Sequence, residues 1–386
     1  MFIPFYSPGR NLLRVIVAGG GYAGLSALAV LRAQRPDAQL TLIDPRVHHL
    51  KITRLHETFR RPLSACQVPY AALAGRWGFR HIQAAVPFDL PLLGQCNAER
   101  ALDLDGLMLE FDYLLIATGS PFRSLSLDRA EPVLDLGDFM AMAGADLLAE
   151  RLAAQESGTR WLTVVGGGAS GVQFLFEIAQ FIKARRLPCR LRLVDTGAAP
   201  LTQFGPELGR YVLAKLAELD IAFHPRQRFK GQDQGQAFLE NLDDGTPTGL
   251  PSDLALLFVG KSPQSCLEVN WFGQVMSGGT ALERVYAAGD CSRHRPPGTN
   301  TLSAQTALRK GRLAARNILR HAGPVPLLEP YLHRDLGYVV SLGPSDAVGW
   351  LGLERCVVAG SAAALAKETA EAQYELLLAG IDTYVL

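Results

Sequence analysis

Apolar and polar positions follow two different periods along this chain, and glycine marks the switches between them. The run Val15-Ile16-Val17-Ala18 is uniformly apolar, the pattern of a strand buried on both faces. Glycines follow at once, then a segment with apolar residues at helical spacing. Thr41-Leu42-Ile43 is strand-like again and ends on Asp44. The same succession recurs from Trp161-Leu162-Thr163-Val164-Val165, through a glycine cluster, to Arg192-Leu193-Val194-Asp195. Elsewhere the pattern predicts strands at 79–86, 101–109 and 113–120 and a helix at 141–154. A helix at 206–218, strands near 221–224 and 238–242, and a turn at Asp243-Asp244-Gly245 follow the second glycine cluster. Residues 254–260 and Val285-Tyr286-Ala287-Ala288-Gly289-Asp290 read as buried strands, and 303–321 as a long helix. Pro324, Pro326 and Pro330 then mark a linker to a C-terminal region.

The glycine clusters are Gly19-Gly20-Gly21-Tyr22-Ala23-Gly24 and Gly166-Gly167-Gly168-Ala169-Ser170-Gly171. In each, the first glycine allows a tight turn and the second lets backbone approach a pyrophosphate. The third lets helix and strand pack closely. The helix N-terminus then offers free N–H groups and a partial positive charge to the phosphates. Asp44 and Asp195 stand where an acid accepts hydrogen bonds from a ribose 2′-hydroxyl. Gly19, Gly21, Gly24 and Asp44 are thus one candidate dinucleotide site, and Gly166, Gly168, Gly171 and Asp195 a second. Two dinucleotides on one polypeptide imply that electrons pass between them.

The predicted fold class is α/β, with two Rossmann-like dinucleotide-binding domains and a C-terminal α+β region. The first dinucleotide unit begins in the segment 11–122, the second lies in 123–280, and the C-terminal region is 331–386. The 386 residues suffice for two or three domains. Lys+Arg 38 against Asp+Glu 37 gives no general attraction for polyanions, so nucleic acid is not an expected partner. Cys66, Cys96, Cys189, Cys266, Cys291 and Cys356 show no C-x-x-C pair or zinc-type spacing, a pattern of reduced thiols in a cytosol. Residues 1–6 lack the basic start of a signal peptide, and no apolar run reaches the ~18 residues of a membrane span. The expected location is cytoplasmic, with peripheral contact on the cytoplasmic membrane face left open.

With Ala117-Thr118-Gly119 and Ala287-Ala288-Gly289-Asp290 beside the two glycine clusters, in this order, the chain resembles the two-dinucleotide flavoprotein reductases. In that family the second dinucleotide domain is inserted into the first, so the resemblance implies a first domain of 11–122 and 281–330 with 123–280 inserted in it. The resemblance implies FAD in the first unit, NAD(P)H in the second, and Thr118, Gly119 and Asp290 as further flavin-side residues. Asp195, placed to bond a 2′-hydroxyl and repel a 2′-phosphate, favours NADH over NADPH. His48-His49-Leu50-Lys51-Ile52-Thr53-Arg54-Leu55-His56-Glu57 and Ala304-Gln305-Thr306-Ala307 resemble type II NADH dehydrogenases in particular. An FAD-dependent oxidoreductase is then implied, passing a hydride from NADH to flavin and on to a quinone or quinone-like acceptor. The alternatives are a slow, NADH-responsive flavoprotein acting through interactions, or a reductase of another small-molecule or protein acceptor. The absence of a placed cysteine pair argues against a dithiol relay.

Two departures from the family pattern fall near the expected reaction centre. Arg309 stands where the quinone-site motif has a second glutamine, and Gln173 where a glutamate is usual, with Glu177 one turn later. Gln173 and Glu177 share a helix face and could hold the nicotinamide amide or relay a proton. Equally, Glu177 could simply pair with a nearby cation. Gln305 and Arg309 are expected to shape the acceptor side, with Arg309 favouring a more polar or anionic acceptor. The N-terminus of the 303–321 helix, capped by Thr301 or Ser303, would stabilise negative charge on reduced flavin. The basic stretch Arg46, His48, His49, Lys51, Arg54, His56, Arg60, Arg61 reads as a solvated loop with one or two groups reaching the FAD pyrophosphate, or else as an acceptor or anion site. No metal site is expected. The region 331–386 carries 3 Lys/Arg and 7 Asp/Glu, so its last helix is acidic and suited to packing on protein. Homodimer formation is left open.

Overall fold

The computed structural model describes residues 12–121, 133–153, 158–260 and 266–384. The apolar stretch 1–6, the expected domain start at Asn11 and the boundary at 122–123 lie outside them. Arg14–Ala18 sits inside a six-stranded sheet ordered Gln274–Ser277, Thr280–Ala287, Tyr113–Ile116, Arg14–Ala18, Gln39–Ile43, Phe79–Ile82. All pairs are parallel except the one made by Gln274–Ser277. The chain runs outward from Arg14–Ala18 to Phe79–Ile82, then returns to Tyr113–Ile116 on the other side. A crevice therefore opens at the C-terminal ends of the two central strands, where ligands bind in such sheets.

A second parallel sheet repeats the plan, in the order Ala222–His224, Cys189–Val194, Arg160–Val165, Leu254–Leu257, Val133–Asp135. It is covered on one face by the antiparallel strands Gln227–Asp233, Gln236–Asn241 and Pro247–Pro251. The chain leaves the first sheet after Ile116 and comes back only at Gln274, so the second unit is an insertion in the first. The return falls earlier than the expected boundary between 280 and 281. Gln274–Ser277 is bonded to Thr280–Ala287 as a hairpin of the first sheet, turned by Gly278 (φ +56°) and Gly279 (φ +84°). Likewise the strand predicted at 101–109 is a hairpin, Ala101–Leu104 with Leu107–Glu110. Asp105 and Gly106 both adopt positive φ at its turn.

The larger correction concerns the basic stretch, which is not a solvated loop. Residues Ile52–Phe59 form a 3₁₀ segment that puts Leu55 and Phe59 into the core of the second unit. Phe59 packs edge-on to Phe174 and also meets Phe139 and Phe181. Ile52, Leu55 and Phe59 lie on one side of the segment, which the cations interleaved between them obscure in the sequence.

The C-terminal region is an antiparallel sheet, Gly337–Ser341, Ala347–Leu351 and Val357–Ala359, followed by the helix Ser361–Leu378. This acidic helix lies on the basic stretch: Lys51 pairs with Glu375 at 2.5 Å and Arg54 with Glu368 at 3.1 Å. Its Tyr374, Leu377 and Leu378 complete the core of the first unit.

Candidate active site

Both glycine clusters turn as their composition requires. At Gly19 (φ +105°) and Gly166 (φ +106°) a Cβ would strike the carbonyl oxygens of Ala117 and Phe258. Gly20 N–H donates to Asp44 Oδ2 (2.7 Å), and Gly167 N–H donates to Asp195 Oδ2 (2.5 Å). The two strand-end acids thus brace their own loops in the same way. Asp44 also accepts from Arg46 N–H, and Asp195 from Gly197 N–H. Gly24 and Gly171 sit against the carbonyls of Gly19 and Gly166, which brings helix and strand into close packing.

Gly21 and Gly168 are the N-caps of the helices Tyr22–Gln34 and Ala169–Arg185, and neither helix has a side-chain cap. Nothing lies within 4 Å of the Cβ position at Gly21, and only Gln203 Nε2, at 3.8 Å, does so at Gly168. First-turn N–H groups facing open space beside a strand-end acid suit a pyrophosphate with its ribose. Thr118 and Gly119 follow the strand Tyr113–Ile116 at the switch point, with Gly119 at φ +78° and open space around it.

A cavity of about 840 Å³ joins the units. Tyr22, Thr53 and Asp290 enter it from the first unit, and Gly168, Ser170 and Gln173 from the second. Gln305 and Arg309 reach it from the helix Ala304–Ala322, whose N-cap Ser303 accepts from Thr306 N–H at 3.1 Å. Lys367, Glu371 and Tyr374 close it from the last helix. Leu302, Leu336 and Leu351, all at least 41% exposed, give its wall an apolar edge. Of the predicted residues, Gly168, Gln173, Asp290, Gln305 and Arg309 therefore share one space.

Glu177 does not line it. This residue is 2% exposed and paired with Arg60, whose Nε lies 3.2 Å from Oε1. Burial holds its carboxyl above the usual range despite Arg60. The cation that pairs with it comes from the basic stretch of the other unit. Arg309 is half-buried on the cavity wall, and burial lowers its pKa, aided by the like charges of Arg312 and Arg316.

Sequence reasoning passed over a polar cluster around Gln173. Ser341 Oγ accepts from Gln173 Nε2 (3.1 Å) and from Lys367 Nζ (2.8 Å). Its own proton is then free for His56 Nε2 at 2.9 Å. Lys367 Nζ also lies 3.2 Å from that ring nitrogen. Burial pushes Lys367 down to about 8 and holds His56 well below the ordinary histidine range, so His56 is neutral. No spacing in the sequence connects residues 56, 173, 341 and 367; Gln173 and His56 drew notice separately, and nothing in the sequence pointed to Ser341 or Lys367 as their partners.

All six cysteines are free thiols. Among the described residues no group of three His, Cys, Asp or Glu could hold a metal, and no helix is long and apolar enough to cross a membrane.

The pyridine nucleotide-disulphide oxidoreductase family model matches residues 13–311. A type II NADH:quinone oxidoreductase of Staphylococcus aureus is 23% identical over 405 residues, covering 95% of this chain and 96% of its own. Among solved structures, NDH2 from Plasmodium falciparum in complex with NADH is similar with a TM-score of 0.76 at 14% identity, covering 94% of this chain and 95% of the other. The sulfide:quinone oxidoreductase of Aquifex aeolicus gives 0.76 at 17% identity, covering 96% and 92%.

Proposed function

The chain belongs to the pyridine nucleotide-disulphide oxidoreductase family, and within it we propose an FAD-dependent NADH:acceptor oxidoreductase whose acceptor is a quinone or quinone-like molecule. The observation that carries this reading is the shared cavity. The N-terminal turn of the second glycine helix, Asp290 of the first unit and the acceptor-side residues Gln305 and Arg309 all open on it. Bound FAD supplies two-electron relay chemistry, so that NADH, H⁺ and quinone give NAD⁺ and hydroquinone.

Two uncapped helix N-termini fit the diphosphates of FAD and NADH, and Asp44 and Asp195 fit their riboses. Asp290 would face the flavin's ribityl or phosphate end, and Gln173 the nicotinamide amide. The N-terminus of the helix Ala304–Ala322 directs its dipole into the cavity, where it favours developing negative charge. Lys367 holds a proton that is mobile near neutral pH on the wall of the same space, and Ser341 with neutral His56 fixes its position. It is therefore the chain's best source of a proton for a reduced acceptor.

An NADH preference follows from Asp195, whose charge disfavours a 2′-phosphate. Arg192, the nearest cation on its strand, is instead buried over the Trp161 ring at 4.1 Å. Anaerobic mixing with NADH should bleach the flavin absorbance, and a soluble quinone should restore it at a rate that sustains turnover. Bleaching without reoxidation by any quinone would favour the slow, NADH-responsive reading.

A further inference from the structure

Four arginines lie along the helix Ala304–Ala322, and one of them has no counter-charge. Arg312 pairs with Asp382 (2.7 Å), Arg316 with Glu329 (2.7 Å) and Arg320 with Glu329 (3.2 Å). Arg309 has no carboxylate within ion-pair reach among the described residues, although it is half-buried on the cavity wall. Its charged neighbours on the helix are the cations Arg312 and Arg316. Asp335 lines the same wall but is engaged elsewhere. Its Oδ2 accepts from Thr301 (2.6 Å) and Thr299 (3.2 Å), and its Oδ1 from Thr306 (3.1 Å). Glu371, also on the wall, is coupled to Lys367 and Arg54 of the last helix and basic stretch.

A guanidinium keeps its proton under any such burial, so the charge persists and lacks an anion. Water reaching through the cavity solvates it only in part, and a planar anion would satisfy it bidentately. Leu302, Leu336 and Leu351 give the same cavity an apolar wall. Gln305, one turn earlier, offers an amide to a carbonyl oxygen.

We propose that the acceptor is a planar quinone carrying an anionic substituent of the carboxylate or sulfonate class, and that Arg309 is the residue that selects it. This rests on the NADH:quinone reading above. The substituent pairs with Arg309 while the quinone ring lies along the leucines. The redox balance is unaltered: NADH supplies a hydride, solvent a proton, and both quinone carbonyls leave as hydroxyls while the anionic group is unchanged.

The test uses the full-length FAD-loaded protein with two acceptors, a naphthoquinone sulfonate and neutral menadione. Arg309→Gln should lower the ratio of kcat/KM for the sulfonate over menadione by roughly tenfold or more, the size of one charged hydrogen-bonded contact, chiefly through KM. Arg309→Lys should fall between, since it keeps the charge and loses the fork. A ratio unchanged in Arg309→Gln overturns the proposal. Calorimetric binding of naphthalene sulfonate, which cannot be reduced, to the oxidised protein separates the two levels. If neither quinone is reduced but binding is lost in Arg309→Gln, the enzyme reading fails and the anion site stands. Equal binding to both proteins removes the anion site whatever the turnover.

Discussion

Tyr374 donates its hydroxyl proton to His49 Nε2 across 2.9 Å, and through that ring the last helix grips the first glycine loop. The other ring nitrogen, Nδ1, lies 3.0 Å from the Gly20 carbonyl, which can only accept. The proton is therefore on Nδ1, and Nε2 is the acceptor for Tyr374. Tyr70 donates to the same carbonyl at 2.9 Å. Tyr22, the first residue of the glycine helix, packs against Tyr374 with ring centroids 4.6 Å apart and planes tilted by 37°.

Tyr374→Phe keeps the ring packing and removes one buried hydrogen bond, a loss of about 1 kcal/mol. If the Gly20 loop binds FAD, the variant should retain flavin about fivefold less tightly. Repeated ultrafiltration with fluorescence of the released flavin measures this; retention equal to the parent would uncouple the helix from the cofactor loop.

Burial drives His49 and His294 down to about 3, and His56 well below its ordinary range. The unfolded chain protonates these rings near pH 6.5, before the folded one does. Folded-state stability should therefore decline as pH falls from about 6.5 towards 3, by up to about 1.4 kcal/mol per pH unit for each ring. Urea titrations across that range read the slope, and His49→Gln should make it shallower. A stability independent of pH between those limits would contradict the assignment.

Arg60→Ala leaves Glu177 buried without its cation. Glu177 is buried but Arg60 is partly exposed, so a cost of about 2 kcal/mol at neutral pH is expected for the stranded carboxylate. The stranded carboxyl is then relieved by protonation, so the deficit should shrink as the pH is lowered. Thermal unfolding of the variant at two pH values checks both statements. A deficit that grows on acidification would mean that Glu177 is not the group left exposed to the loss.

Lys367 is pushed down to about 8 by burial, against the opposing charges of Glu371, Glu57 and Glu368. Below that value it carries the proton proposed for the acceptor; above it the proton is gone. Reoxidation of reduced flavin by quinone should therefore slow as pH rises through about 8, and Lys367→Met should slow it by about 100-fold and flatten the profile. Single-turnover mixing of pre-reduced enzyme with quinone isolates this step. A profile that keeps its inflection in Lys367→Met would assign the proton to another group.

Asp195→Ala should raise KM for NADH by about tenfold through loss of a charged hydrogen bond to the ribose and narrow the preference over NADPH. Comparing flavin bleaching rates with the two donors decides this. Faster bleaching of the parent by NADPH would reverse the donor assignment.

The two dinucleotide units were legible along the chain because their signals are local. Strand period, glycine turn, helix period and terminal acid fall within one short stretch in each unit, and backbone sterics at Gly19 and Gly166 admit no other residue. The family resemblance implied the insertion, and the strand order agrees with it: the chain leaves the first sheet after Ile116 and returns to it at Gln274. Even the hairpin turns at Asp105-Gly106 and Gly278-Gly279 carry a local signal, a weak one because Ala101–Leu104, Leu107–Glu110 and Gln274–Ser277 are too short to show alternation.

The fate of the charges could be decided only in three dimensions. Basic residues 46–61 and the acidic last helix each look like solvated surface when read alone. Lys51 and Glu375 are 324 residues apart and neutralise one another. The Lys367–Ser341–His56 cluster and the Tyr374–His49 bond have the same origin. Periodicity encodes which face of an element is buried, because that depends on the element's own geometry. Which partner meets that face depends on how distant elements dock, and no local spacing carries that information.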